Sequence, residues 1–120
     1  MVDVPLDLTP EQFDVLVDAA LDQIPDGLAA RVDNLVVLVE DDAPADDPDL
    51  LGLYEGVALT EQDGANLARL PDRVLVFRRP LLALCSTPEQ LVEEVRITVV
   101  HEIGHHFGLD EDRLHELGWG

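Results

Sequence analysis

Two histidines near the C-terminus, His101 and His105, are spaced so that both can bind one ligand. On an α-helix, residues four apart lie on the same face, about one turn from each other. Two imidazoles in that arrangement can reach one metal ion, and tetrahedral Zn²⁺ accepts nitrogen ligands. Glu102 is rotated away from the line of the histidines, so we expect it to hold the proton of a water molecule at the metal. The spacing predicts a hydrolytic metal centre.

The residues after the histidines decide whether the chain can supply more ligands. Gly108 allows the chain to leave the helix, because glycine adopts left-handed dihedral angles at little cost. Whatever follows would then be turned back toward the metal. The alternative interpretation is a helix whose histidines merely face the solvent.

The pattern His101-Glu102-x-x-His105-x-x-Gly108-x-x-Glu111 resembles the extended zinc signature of the zincin metallopeptidases. The chain resembles the small, single-domain bacterial zincin-like proteins, which share the runs HHFG and RLHELG and a segment like LYEGV. The resemblance implies a minimal zincin-like fold, one Zn²⁺ ion and a peptide or protein substrate. It also implies that the acidic residue at position 111, usually aspartate in those proteins, is the third ligand.

Several neighbouring side chains compete for the role of third ligand. We favour Glu111, since it occupies the position that the signature demands, and we place Asp110 second and Asp112 third. His115 is a further alternative that the resemblance does not support. The adjacent His106 is expected to point off the ligand face, at the surface or the rim of the cleft.

The charge of the chain limits the classes of partner. There are 26 acidic residues against 7 basic ones, which gives a net charge of −19. Nucleic acids and anionic membrane surfaces are bound through basic patches, so we expect neither as a partner. A basic partner or substrate is permitted, although the plainer interpretation is a solvated acidic surface.

Length and hydropathy are typical of one small globular domain, which we expect over residues 1–120. Cys85 is the only cysteine, so an intrachain disulfide is excluded and a reducing compartment fits. The N-terminus has no apolar h-region, and no run of about 18 apolar residues is present. We therefore expect a cytoplasmic protein.

The hydrophobic pattern predicts an α+β domain. We expect a mixed sheet of three to four strands, packed on an N-terminal helix and on the C-terminal helix that carries the histidines. Thr9 and Gln12 have the spacing of a capping box, and an apolar stripe then continues to Ile24. Residues 28–34 are expected to add a turn of helix. The predicted strands are residues 35–39, 51–59 and 74–77.

Loops and caps are predicted from local composition. Residues 41–49 carry five aspartates and two prolines, which predicts a solvated loop. The Arg-Arg-Pro run at residues 78–80 is expected to end the third strand, with its arginines neutralising acidic neighbours. The histidine-bearing helix is expected to begin after a cap at Ser86 or Thr87.

The second predicted strand contains Gly52 and Gly56 on either side of Tyr54. Glycine in a strand permits close approach by another backbone. In zincins an edge strand beside the active site pairs with extended substrate, and the resemblance makes this segment the candidate. The alternative is a bent or bulged strand that binds no ligand.

Two departures from larger zincins affect the expected site. The metzincin branch has a methionine turn beneath the metal, whereas the only methionine here is Met1. We expect Trp119 to pack there instead, with ordinary packing or a dimer contact as the alternative. Only 15 residues follow His105, so we expect no second subdomain after the motif and a site that is shallow and open. A second copy of the chain could complete it as a homodimer.

These patterns together predict a zinc-dependent metallopeptidase, in which Glu102 is the general base for the water that attacks the peptide bond. The main alternative is a catalytically weak or inactive zincin-like module that binds metal or another protein. A third interpretation is a structural domain whose motif binds nothing.

Overall fold

The computed structural model describes residues 6–29, 35–56 and 71–118. In chain order, the elements are α1 (Pro10–Leu21), α2 (Asp26–Ala29), β1 (Leu35–Glu40), β2 (Gly52–Glu55), β3 (Asp72–Phe77), α3 (Arg78–Leu84), α4 (Pro88–His106) and α5 (Glu111–Glu116). The predicted α+β class is confirmed. None of the helices within the described ranges is long and apolar enough to cross a membrane.

The sheet places its third strand in the middle. Within the described residues it has three strands in the order β1-β3-β2, with β1 parallel and β2 antiparallel to β3. Tyr54 of β2 lies opposite Val74 of β3, and Gly52 lies opposite Val76. The predicted mixed sheet is confirmed. β2 covers only part of the predicted strand 51–59, of which residues 57–59 lie outside the described ranges.

Helix α1 begins as its sequence predicts. The hydroxyl of Thr9 accepts a hydrogen bond from the N–H of Gln12, and the Gln12 side chain accepts one from the N–H of Thr9. This reciprocal capping satisfies two of the N–H groups that a helix start leaves without partners. The helix ends at Leu21, three residues before Ile24, although Ile24 still packs against the core. The next helical turn is α2, which overlaps the start of the turn predicted at residues 28–34. Residues 30–34 of that predicted turn lie outside the described ranges.

Helix α4 is the longest element and organises the core. It begins after Thr87, whose hydroxyl accepts from the N–H of Gln90, so the cap is Thr87 rather than Ser86. Its apolar side packs against the sheet and α1, and each buried Val or Leu contributes about 1.5–3 kcal/mol. The largest fully buried side chains of this core are Phe13, Leu28, Val74, Val76, Leu81, Leu91, Val95, Val99, Val100, Ile103 and Leu114.

Helix α3 was not expected from the sequence. The Arg-Arg-Pro run does end β3, but Arg78 directly opens a helix that runs to Leu84. Pro80 is tolerated because it lies in the first turn, where the missing N–H would have no partner in the helix. The burial of Leu81 and Leu82 against the core then holds the helix in place.

The two arginines of α3 pair with the acidic loop, as expected. Arg78 donates through Nε to Asp41 Oδ1 at 2.8 Å, and Arg79 donates to Asp42. The hydrogen bond and positive charge of Arg78 hold the pKa of Asp41 below its usual value. The start of the aspartate-rich loop is therefore attached to α3, although its carboxylates stay exposed.

Candidate metal centre

Helix α4 carries both histidines of the predicted pair toward the same side. The ring centroids of His101 and His105 lie 6.1 Å apart, and the rings are tilted by 43°. Two imidazoles bound to one tetrahedral zinc ion through bonds of about 2.0–2.1 Å would have centroids about 5 Å apart. The observed separation is close to that requirement, so the pair can bind one ion after a small adjustment of the rings.

Glu102 is held beside the histidines by the edge strand β2. Its Oε1 accepts a hydrogen bond from the backbone N–H of Tyr54 at 3.1 Å, although 48 residues separate the two in the chain. The bond is partly buried, and a lower local dielectric strengthens such contacts. The predicted general base is therefore positioned by a strand as well as by its own helix.

The chain turns after α4 and returns beside the histidines as α5. Gly108 has a φ of +76°, a left-handed conformation that glycine adopts without a steric cost. The turn is closed by a hydrogen bond of 2.8 Å from the N–H of Leu109 to the carbonyl of Gly104. The predicted role of Gly108 at the helix exit is confirmed.

The two leading candidates for the third ligand have different surroundings in the structure. Asp110 is the N-cap of α5, where its Oδ1 accepts from the N–H of Arg113 at 2.8 Å. Glu111 instead places Oε1 3.9 Å from Nδ1 of His101. Asp110 would have to bind a metal through Oδ2 while Oδ1 stays in the cap, whereas Glu111 has no cap to keep. This geometry favours Glu111.

The remaining polar candidates have other surroundings. Asp112 and His115 are exposed on α5. The ring of His106 stacks on that of Tyr54, with centroids 4.0 Å apart and planes at 13°. His106 therefore belongs to the contact between α4 and β2, which matches the expectation that it points off the ligand face.

Sequence reasoning missed one residue that supports this contact. Asp72 is almost fully buried at the start of β3, and its Oδ2 accepts a hydrogen bond of 2.6 Å from the hydroxyl of Tyr54. The sequence places Asp72 at the end of a polar connection, with no sign that its carboxylate faces inward. The bond anchors the ring of Tyr54, which in turn supports the strand that holds Glu102.

The donor set fits a zinc ion in its chemistry. Two imidazoles and one carboxylate are common zinc ligands, and they leave a fourth position open. Across residues 6–29, 35–56 and 71–118, however, no three His, Cys, Asp or Glu side chains already converge as a metal-binding group. The side chain of Glu111 is 72% exposed, so packing does not restrain it. If Glu111 is the third donor, as predicted, its exposed side chain has to move to complete the set.

A cleft of about 370 Å³ opens beside the histidines, between α4 and the aspartate-rich loop. Its walls carry the carboxylates of Asp47, Asp49 and Glu94, together with Glu102. No arginine lines this cleft in the described part of the chain. Glu94 also lines a separate pocket that contains Cys85. Burial of the Cys85 thiol, together with the negative charge of Glu94, raises the pKa of that thiol. Apart from the two histidines, the ionisable side chains that line the cleft are all acidic, which favours a cationic ligand.

The two glycines of the predicted substrate strand have different surroundings. A Cβ atom added to Gly52 would lie 2.5 Å from Cγ2 of Thr98 and 3.0 Å from the carbonyl oxygen of Leu75. Around Gly56 the nearest atom would be 3.7 Å away, in His106. The close approach that Gly52 permits is thus made by α4 of the same chain, and it brings Glu102 within reach of Tyr54.

We expect Gly52→Ala to lower the free energy of unfolding by about 1–3 kcal/mol, because overpacking of this size forces shifts in a well-packed interface. Gly56→Ala is the matched control. It has room for the methyl group, and we expect a change within about 0.5 kcal/mol. Urea denaturation of both variants checks this. Equal stability of the two would contradict the tight packing of β2 on α4.

Comparison with known proteins then decides the family. The sequence profile of the family described as zincin-like metallopeptidase matches residues 32–119, more than half of the chain. The chain belongs to the zincin-like metallopeptidase family. A comparison with curated proteins finds no match.

A similar fold occurs in a protein of known structure. A conserved hypothetical protein from Thermus thermophilus superposes with a TM-score of 0.57 at 21% sequence identity. The alignment covers 83% of this chain and 94% of that one. At this identity the likeness shows the fold alone.

Family membership confirms the resemblance inferred from the motif and the expectation of a minimal zincin-like fold. Membership of this family also suggests that the metal is zinc, which the two histidines and a carboxylate can bind. Trp119, which we expected beneath the metal of this zincin-like metallopeptidase, lies outside the described residues. Its role stays a prediction, as does substrate pairing along β2.

Proposed function

We propose that this protein is a zinc-dependent peptidase that hydrolyses extended peptides bound in the acidic cleft. The observation that carries the proposal is the position of Glu102. It lies between the two candidate ligands in the sequence, is hydrogen-bonded to β2 and lines the cleft beside both histidines. If the two histidines had only a structural role, no carboxylate would be needed beside them in the cleft.

The residues have separate roles in the proposed reaction. His101, His105 and Glu111 would hold the zinc ion, which when bound supplies Lewis acidity to the scissile carbonyl. Glu102 accepts the proton of the attacking water and delivers it to the nitrogen of the leaving amine. A carboxylate can accept several hydrogen bonds, so the N–H of Tyr54 orients Glu102 without removing its capacity as a base.

The charge of the cleft supports a class of substrate. Asp47, Asp49 and Glu94 line it on two sides, and an extended peptide across the histidines would place side chains among them. Lysine and arginine side chains would gain favourable electrostatic contacts there, whereas acidic ones would be repelled. We propose peptides with basic residues near the scissile bond as substrates.

A second candidate function is a zincin-like module that binds zinc or a partner protein with little or no turnover. The observation in its favour is the openness of the site, in which Glu111 is exposed and the three donors do not yet converge. A second copy of the chain that closes the site as a homodimer belongs to the same proposal.

The experiment that tests the proposed function combines metal content with a peptide assay. We expect one zinc per chain by elemental analysis, loss of cleavage after chelation, and recovery when zinc is added back. A peptide library should show faster cleavage next to lysine or arginine than next to aspartate or glutamate. Zinc binding without cleavage of any peptide would support the second candidate. Failure to bind zinc near neutral pH would overturn the peptidase and the zinc-binding form of the second candidate, and would leave only a module that binds a partner protein.

A further inference from the structure

Gly104, which lies between the two candidate histidine ligands in the sequence, contacts Leu114 of α5. Gly104 is buried in α4, and a Cβ atom added to it would lie 2.9 Å from Cδ2 and 3.0 Å from Cδ1 of Leu114. The Leu114 side chain is fully buried. The side chain of a single α5 residue thus fills the notch that the missing Cβ leaves on α4.

Within the part of the chain that the structure describes, helix α5 has little else to hold it. Leu114 is its one buried residue, and the other five residues of the helix are exposed. A helix of six residues is far too short to be stable alone, so tertiary contacts must keep it folded and in place. The position of α5 therefore depends on the seating of Leu114.

Gly104 also anchors the turn that leads into α5. Its carbonyl accepts the hydrogen bond from the N–H of Leu109, and the carbonyl of His105 accepts one of 3.0 Å from the N–H of Gly108. The chain is thus attached to the same turn of α4 twice, through the backbone at Leu109 and through the side chain of Leu114. Glu111 lies between these two points.

We propose that the seating of Leu114 on Gly104 positions Glu111 for the metal, and that docking of α5 and zinc binding stabilise each other. The inference rests on the proposed zinc site with Glu111 as its third ligand. The physical basis is linkage. A ligand that binds only when α5 is docked shifts the docking equilibrium, and weaker docking lowers the apparent affinity by the same factor.

The test begins with the unchanged protein, so that it does not depend on a variant that fails to fold. Amide hydrogen exchange is measured for α5 with and without zinc. At a free zinc concentration about 100 times its Kd, exchange at Leu114 and Leu117 should slow by up to about 100-fold. No zinc-dependent slowing at these amides, in protein that binds zinc, would overturn the inference.

Variants then test the contact itself by zinc affinity, measured in competition with a chromophoric chelator. Gly104→Ala and Leu114→Ala should each weaken zinc binding by about 10- to 100-fold, the usual effect of losing a support for a metal ligand. The double variant should lose less than the product of the two factors. Removal of the leucine side chain opens the space that the alanine Cβ needs, and contacting residues are non-additive.

Val17→Ala is the matched control. Val17 is buried in α1, so the substitution destabilises the core without touching α5. We expect lower thermal stability and unchanged zinc affinity. If the unaltered protein binds zinc and Gly104→Ala and Leu114→Ala bind it equally well, the inference is overturned while the proposed function stands. If the unaltered protein binds no zinc, the proposed metal centre falls, and this inference with it.

Discussion

Glu102→Gln should retain zinc and lose peptide hydrolysis, with kcat lower by about 10²- to 10⁴-fold, the usual contribution of a general base. The amide has nearly the shape of the carboxylate, and its oxygen can still accept from the N–H of Tyr54. The contact between α4 and β2 should therefore survive. What is lost is the capacity to take a proton from water, so the effect should fall on kcat and not on zinc affinity.

Glu94→Gln is the control for this experiment. Glu94 lies two turns earlier on α4 and lines the same cleft, so its substitution removes the same charge without touching the histidine pair. We expect zinc binding and kcat close to those of the unaltered protein, with weaker binding of basic peptides. Turnover that persists in Glu102→Gln would disprove the assigned role. Loss of zinc in Glu102→Gln would show that Glu102 is a ligand instead.

The parts of the fold that the sequence predicts are those decided within a few residues. Thr9 with Gln12 marks the start of α1, and the start of α4 was predicted at Ser86 or Thr87, of which Thr87 is the cap. Each cap joins two residues that are three positions apart, so it can be predicted from the local sequence. The same holds for Gly108, whose positive φ is a property of one residue.

The elements that the sequence did not predict depend on distant contacts. Helix α3 exists because Leu81 and Leu82 reach the core, whereas the Arg-Arg-Pro run by itself indicates a strand end. The bond between Tyr54 and Glu102 spans 48 residues and requires β2 to lie beside α4. No local pattern carries that information, because it depends on how the sheet is ordered.

The candidate site also combines features that depend on local sequence with features that depend on the folded chain. The helical spacing of His101 and His105 brings their rings to the same side, as predicted, since i and i+4 residues share a face in any helix. The choice between Asp110 and Glu111 could not be made from their positions alone. The structure shows which carboxylate caps α5 and which lies beside His101, since both depend on the turn at Gly108, and the identity of the third ligand stays a prediction.

Glu111→Gln should weaken zinc binding by more than about 100-fold, because loss of a ligand should exceed the 10- to 100-fold effect of losing a residue that supports one. The side chain is 72% exposed and, as the first residue of α5, is not its cap, so the free energy of unfolding without metal should change little. Zinc titration of metal-free protein and urea denaturation in the presence of a chelator measure the two quantities separately.

Asp110→Asn gives the opposite test at the neighbouring position. Asparagine is as good an N-cap as aspartate, so the bond to the N–H of Arg113 should persist and stability should stay the same. Zinc affinity should also stay the same if Asp110 only caps the helix. Asp110→Ala, by contrast, should cost about 0.5–2 kcal/mol of stability through loss of the cap. A large loss of zinc in Asp110→Asn, with Glu111→Gln unaffected, would reverse the assignment, since asparagine keeps the cap but removes the charge that a metal ligand needs.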